Sequence, residues 1–143
     1  MIESMAKVKL ILYWVDVTFF LVWAALLVEY GRRGLHFYAG MALAAVAFVF
    51  WMTARFQLGR SFSVTAKAKD LVTTGLYAKI RSPIYLFGGL AFLGLSIAWG
   101  QPVGFIYVVA SVPMQILRAR KESAVLEQAF GEKYRVYKAG TWF

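Results

Sequence analysis

Four long apolar runs constrain this chain more than anything else in its sequence. Leu10 to Val28 gives 19 residues, Phe37 to Ala54 gives 18, Ile84 to Trp99 gives 16 and Val103 to Leu117 gives 15. A helix needs ~20 mostly apolar residues to cross ~30 Å of hydrocarbon. The first two runs are therefore of spanning length. The last two are short spans that borrow flanking residues or sit where the bilayer is thinned. Only Gly100-Gln101-Pro102 separates them, which predicts a helical hairpin. The expected fold is an all-α membrane protein of about four transmembrane helices, forming one domain over residues 1–143. Two N-terminal helices occupy residues 1–57. Composition agrees, since 61% of residues are hydrophobic and 16% charged, an apolar excess that needs lipid to solvate it.

Lys7 and Lys9 ahead of the first run suggest a signal peptide, but the run is longer than a signal core, contains Asp16 and lacks a small-x-small cleavage site. It reads as a retained helix. Asp16 has two readings: facing the bundle or water, or snorkelling to the nearby interface.

The net charge of +9 does not indicate nucleic acid, because the basic residues lie between apolar runs instead of on one soluble face. With four crossings, fourteen of the sixteen Lys and Arg fall on one side and only Arg32 and Arg33 on the other. The positive-inside rule then places both termini and the polar segment 55–83 in the cytoplasm. Cysteine is absent, which excludes disulfides, thiolate zinc sites and a cysteine nucleophile; no metal ligand is assigned. Beyond Leu117, Val125, Leu126, Ala129, Phe130 and Tyr134 alternate with charged residues at helical spacing, predicting an amphipathic C-terminal helix that leaves the membrane.

Two clusters on the cytoplasmic side carry chemistry. The first is Leu71-Val72-Thr73-Thr74-Gly75-Leu76-Tyr77 followed by Arg81-Ser82-Pro83-Ile84-Tyr85. The second runs from Arg118 through Glu122 and Leu126 to Phe130-Gly131, Tyr134 and Tyr137. In this order around one hairpin, over roughly residues 58–138, they resemble the integral membrane methyltransferases of the isoprenylcysteine carboxyl methyltransferase and phospholipid methyltransferase group. That resemblance implies methyl transfer from S-adenosylmethionine to a lipophilic or lipidated substrate that partitions into the membrane. It places Leu71, Val72, Tyr77, Ser82, Pro83, Ile84, Tyr85 and Glu122 along the cofactor, and gives Arg118 to positioning the substrate carboxylate. The chain departs from the family pattern at Ser82, where histidine is common, at Ser123, where a second glutamate often stands, and at Gly88, one place later than usual.

The residue types suit that ligand. Tyr faces stack a base or attract a sulfonium, and a carboxylate such as Glu122 accepts from hydroxyls or ammonium. Arg118 and Glu122 share a helix face, either held inward as a pair or as a solvated ion pair. Carboxyl O-methylation of an isoprenylcysteine-like molecule needs no general base, because the nucleophile is already ionised. N-methylation of a phospholipid or lipid amine is the alternative and does require a proton acceptor. A noncatalytic membrane scaffold is the alternative of another class.

Overall fold

The structure is a computed structural model that describes the backbone of residues 2–58 and 71–142, with side chains from residue 14 onward. The remainder of the polar segment, with Arg60, Lys67 and Lys69 among its charges, lies outside the described residues, as do the side chains of Lys7 and Lys9. Within them the chain is all-helical: α1 (Ile2–Tyr30), α2 (Leu35–Leu58), a 3₁₀ turn (Gly75–Ala78), α3 (Pro83–Trp99), α4 (Pro102–Phe130) and α5 (Glu132–Gly140). Each apolar run lies inside one of the four long helices, as expected. α2 and α4 are long and apolar enough to cross a membrane.

The closest packing in the molecule is between α2 and α3, and small residues make it possible. A Cβ on Gly40 would fall 2.3 Å from the Ala98 nitrogen, and one on Gly94 would fall 2.5 Å from that of Ala44. The two backbones therefore touch. In lipid, where apolar surface gains little by leaving its surroundings, such close approach supplies the van der Waals contact that holds helices together. Ala47, Trp51, Ala91 and Leu95 continue the seam as buried residues. α1 joins through an aromatic layer in which Phe20 stacks on Phe48 at 4.7 Å and meets Phe92 edge-on at 5.7 Å. Trp23 and Phe92 carry this layer on to Tyr107 of α4.

The α3–α4 hairpin follows from its three linking residues. Gly100 caps α3 in the left-handed region (φ 67°), its N–H donating to the Ser96 carbonyl, and Pro102 opens α4 where a missing N–H costs nothing. The Ser96 hydroxyl lies 2.9 Å from the Phe92 carbonyl and 3.1 Å from that of Gly104, tying the two helices together.

The expected amphipathic helix is not a separate element at first. α4 continues unbroken past Leu117 to Phe130, and the chain turns only at Gly131 (φ 52°), beyond which α5 begins. Helix-forming residues run through the apolar-to-polar change without a breaker, so polarity shifts while backbone geometry does not.

Candidate functional site

The chemistry-bearing residues gather where the end of α2, the 3₁₀ turn, the start of α3 and the polar half of α4 meet. The turn is held from both sides. Gly75 adopts φ 62°, and a Cβ there would fall within 2.6 Å of the Gln57 side chain. Gln57 Oε1 instead accepts the Leu76 N–H at 2.9 Å. Tyr77 is buried, with its hydroxyl 3.4 Å from the Ala54 carbonyl. From the other side the Tyr137 hydroxyl donates to the Tyr77 carbonyl at 2.7 Å, and the Trp142 N–H donates to the Lys79 carbonyl at 3.1 Å. Burial, with smaller effects from neighbouring groups, pushes the Tyr137 phenol up to about 12, so it remains a donor at every physiological pH. Tyr134 is completely buried and shares a 2.6 Å hydrogen bond with Ser123. The two C-terminal tyrosines thus bind α5 to the turn and to α4.

At the start of α3, Ser82 is the N-cap and Pro83 the buried first residue. The Ser82 carbonyl accepts the N–H groups of Tyr85 and Leu86, each at 3.2 Å. Ile84 packs against the apolar core. The Tyr85 phenol at the start of α3 lies close enough to the Glu122 carboxylate of α4 for the two groups to act on each other. Arg118, one turn earlier and exposed, lies close enough for its charge to act on both Tyr85 and Asp16. Neither Glu122 nor Arg118 forms an ion pair within 4 Å among the described residues. Leu71 and Val72 are half-buried at the entry to the turn.

Asp16 faces the bundle. Its carboxylate accepts the Val17 N–H at 3.0 Å and is paired with the Arg55 guanidinium. Arg55, which its place in the sequence assigns to the polar loop, belongs to α2 and is 2% exposed, with its guanidinium carbon 4.9 Å from the centre of the Trp51 ring. The reason is register: α2 runs one turn beyond its apolar stretch, and Arg55 falls on the same inward face as Ala44, Ala47 and Trp51. A guanidinium so placed requires an anion. Gln57 is also a residue of this region that sequence reasoning did not single out, and Ser123, noted in the sequence only as a departure from the family pattern, is the partner of Tyr134.

On the face of α4 that carries Ile116, Arg120, Ser123 and Glu127, away from Arg118 and Glu122, lies a cleft of about 480 Å³, a volume in the range of small-molecule sites. Of the candidate cofactor residues only Ser82 lines it, together with Arg81, Arg120, Ser123, Glu127 and Lys138.

Fold and site together define a helical protein of membrane type whose polar residues are concentrated at one end of the bundle. The sequence profile of the phospholipid methyltransferase family matches residues 35–133, well over half of the chain. The protein belongs to that family, a family of methyltransferases. Neither a curated protein nor a solved structure matches the chain. The matched span begins at α2, so α1 and Asp16 lie outside it.

Proposed function

We propose that this protein transfers a methyl group from S-adenosylmethionine to a lipophilic substrate lying in the bilayer, and that the acceptor is a carboxylate, as in an isoprenylcysteine-like molecule. The observation that carries the reading is the row Tyr85–Glu122–Arg118: a carboxylate close to a tyrosine, and an exposed arginine whose charge reaches that tyrosine and which forms no ion pair within 4 Å among the described residues. The donor set fits the cofactor, since Glu122 offers an acceptor for ribose hydroxyls or ammonium, and the Tyr85 ring offers a face for a sulfonium or a base. When bound, the cofactor supplies an electrophilic methyl carbon on a positively charged sulfur. Arg118 grips the substrate carboxylate through its planar fork, fixing one oxygen in line for attack. No proton has to move. The apolar faces of α3 and α4 keep water from the acceptor. In this reading four helices cross the membrane and both termini are cytoplasmic, with the cofactor entering from that side.

A second reading has one observation in its favour. Asp16 places a half-exposed carboxylate near Arg118, and that juxtaposition suits a zwitterionic headgroup whose phosphate meets the arginine and whose amine meets the aspartate. N-methylation of a lipid amine would then use Asp16 or Glu122 as proton acceptor. The deciding experiment incubates purified protein with isotopically labelled S-adenosylmethionine and membrane lipid extract, then locates the label by mass spectrometry. A methyl ester supports the first reading and a methylated amine the second. Absence of cofactor binding by calorimetry at millimolar concentration would leave only a noncatalytic scaffold.

A further inference from the structure

The cleft on the far side of α4 has features that the methyl-transfer reading, which shares only Ser82 with it, does not use. It brings Arg81, Arg120 and Lys138 together with the hydroxyl-bearing Ser82 and Ser123, and its one carboxylate is Glu127. Glu127 is already engaged by Arg135 at 3.1 Å and by Lys138 at 3.6 Å. Arg81 and Arg120 form no ion pair among the described residues. The Ser82 side chain makes no capping hydrogen bond at the start of α3, where the helix dipole adds further positive potential. The cleft is therefore a cationic recess with donors to spare.

Its height in the molecule identifies the occupant. Ile116, one residue before the apolar run of α4 ends, forms part of the wall, while Arg120 and Lys138 line the polar part. A ligand in the cleft has hydrocarbon at one end and cationic donors at the other. A free anion would use only the second end; a glycerophospholipid uses both. Basic recesses between helices at the cytoplasmic surface are sites of this kind.

We infer that this cleft holds the phosphodiester headgroup of one anionic glycerophospholipid of the leaflet that faces the chain's basic side, as a bound lipid distinct from the methyl acceptor. Arg81 and Arg120 clamp the phosphate, Ser82 donates to it, and one acyl chain runs down past Ile116. The lipid would bridge the start of α3 and the base of α5, the two elements that flank the candidate site.

Native mass spectrometry of detergent-purified protein titrated with dioleoyl phosphatidylglycerol or dioleoyl phosphatidylcholine tests this. One phosphatidylglycerol should be retained in clear preference to phosphatidylcholine. Its affinity should fall about fivefold in Arg120→Gln and about twentyfold in Arg81→Gln/Arg120→Gln, from the usual contribution of one interfacial cation. Arg120→Lys should keep most of it. Arg33→Gln, at the opposite end of the bundle, should change nothing. Unaltered calorimetric binding of S-adenosylhomocysteine by Arg120→Gln separates this inference from the methyl-transfer reading, and an unchanged melting temperature in the double variant shows that it is folded. Equal retention of the two lipids, an affinity indifferent to Arg81 and Arg120, or loss of binding in Arg120→Lys equal to that in Arg120→Gln would overturn it. So would displacement of the lipid by equimolar inorganic phosphate, which would identify a free-anion site, or by S-adenosylhomocysteine, which would identify the cleft as the cofactor's.

Discussion

Replacing Asp16 by asparagine removes a negative partner of a buried cation. Breaking a buried ion pair from one side costs ~3–5 kcal/mol, because the surviving charge is left uncompensated in a poorly polarisable setting. Here the survivor is Arg55, with 3% of its side chain exposed, while the Asp16 side chain is 46% exposed. The pair is thus sealed on the arginine side only, and water or headgroups reaching the substituted amide return part of the loss. The contact with Trp51 persists in both proteins and cancels. We expect a net loss of about 2–3 kcal/mol, at or just below the lower limit for fully buried pairs. Reversible unfolding in mixed micelles measures it. A double-mutant cycle with Asp16→Leu and Arg55→Leu isolates the coupling, since the doubly apolar protein should recover to within ~1 kcal/mol of the parent. A coupling energy below ~0.5 kcal/mol would refute the argument. It would mean that Arg55 is stabilised without Asp16 and that α1 is held by aromatic packing alone.

Glu122→Gln should weaken S-adenosylmethionine binding roughly tenfold, by ~1–2 kcal/mol for an ionised acceptor made neutral. Arg118→Ala should spare cofactor binding and lower kcat/KM; paired calorimetry and turnover with indistinguishable profiles would remove Arg118 as substrate anchor. Tyr137→Phe deletes the 2.7 Å bond to the Tyr77 carbonyl, and cofactor affinity should drop about fivefold, for a bond worth ~1 kcal/mol net. Because the folded phenol is raised to about 12, the folded state binds the extra proton in alkali. Its contribution to stability is full below the unfolded value of ~10 and is lost as pH rises through the folded one. Stability curves measured between pH 9 and 12 should fall less steeply in Tyr137→Phe. Reporter fusions at Gly34 and after Phe143 should lie on opposite sides of the membrane; the same side would defeat an even number of crossings. Gly94→Leu forces a side chain into the Ala44 backbone, 2.5 Å from its Cβ position, and should abolish recovery of monodisperse protein where Ala110→Leu, exposed on α4, does not.

The helices were legible because lipid leaves a spanning chain little choice: each backbone group must be satisfied within its own segment, so apolar length alone marks the element. Phe37–Ala54 grew only to Leu35–Leu58 in the structure. That small extension hid the most consequential residue, since an arginine at the end of an apolar run reads as loop, and its partner Asp16 stands 39 residues away in the sequence. The continuity of α4 was hidden for the opposite reason: a change of polarity at Leu117 resembles a boundary, whereas the stop signal was Gly131. Within the candidate site, Arg118 at i−4 was the obvious local partner for Glu122, yet no ion pair joins them among the described residues, and the tertiary fold brings Tyr85 of α3 close to the carboxylate instead. Gln57 carried no signal, as its role exists only once Gly75 has taken a left-handed conformation beside it.

The hydrogen bond from Tyr137 to Tyr77 closes a loop of 60 residues, and this has a consequence for biosynthesis. At ~5–20 residues per second of translation, the turn leaves the ribosome several seconds before the tyrosine that holds it. In the topology proposed above, α3 and α4 enter the bilayer as a hairpin in that interval. A nascent chain lacking α5 then has its hydrophobic segments in place with the turn still unsupported, and under the proposed function competence for the methyl donor arrives late. Membrane insertion and ligand recognition are thereby separated in time.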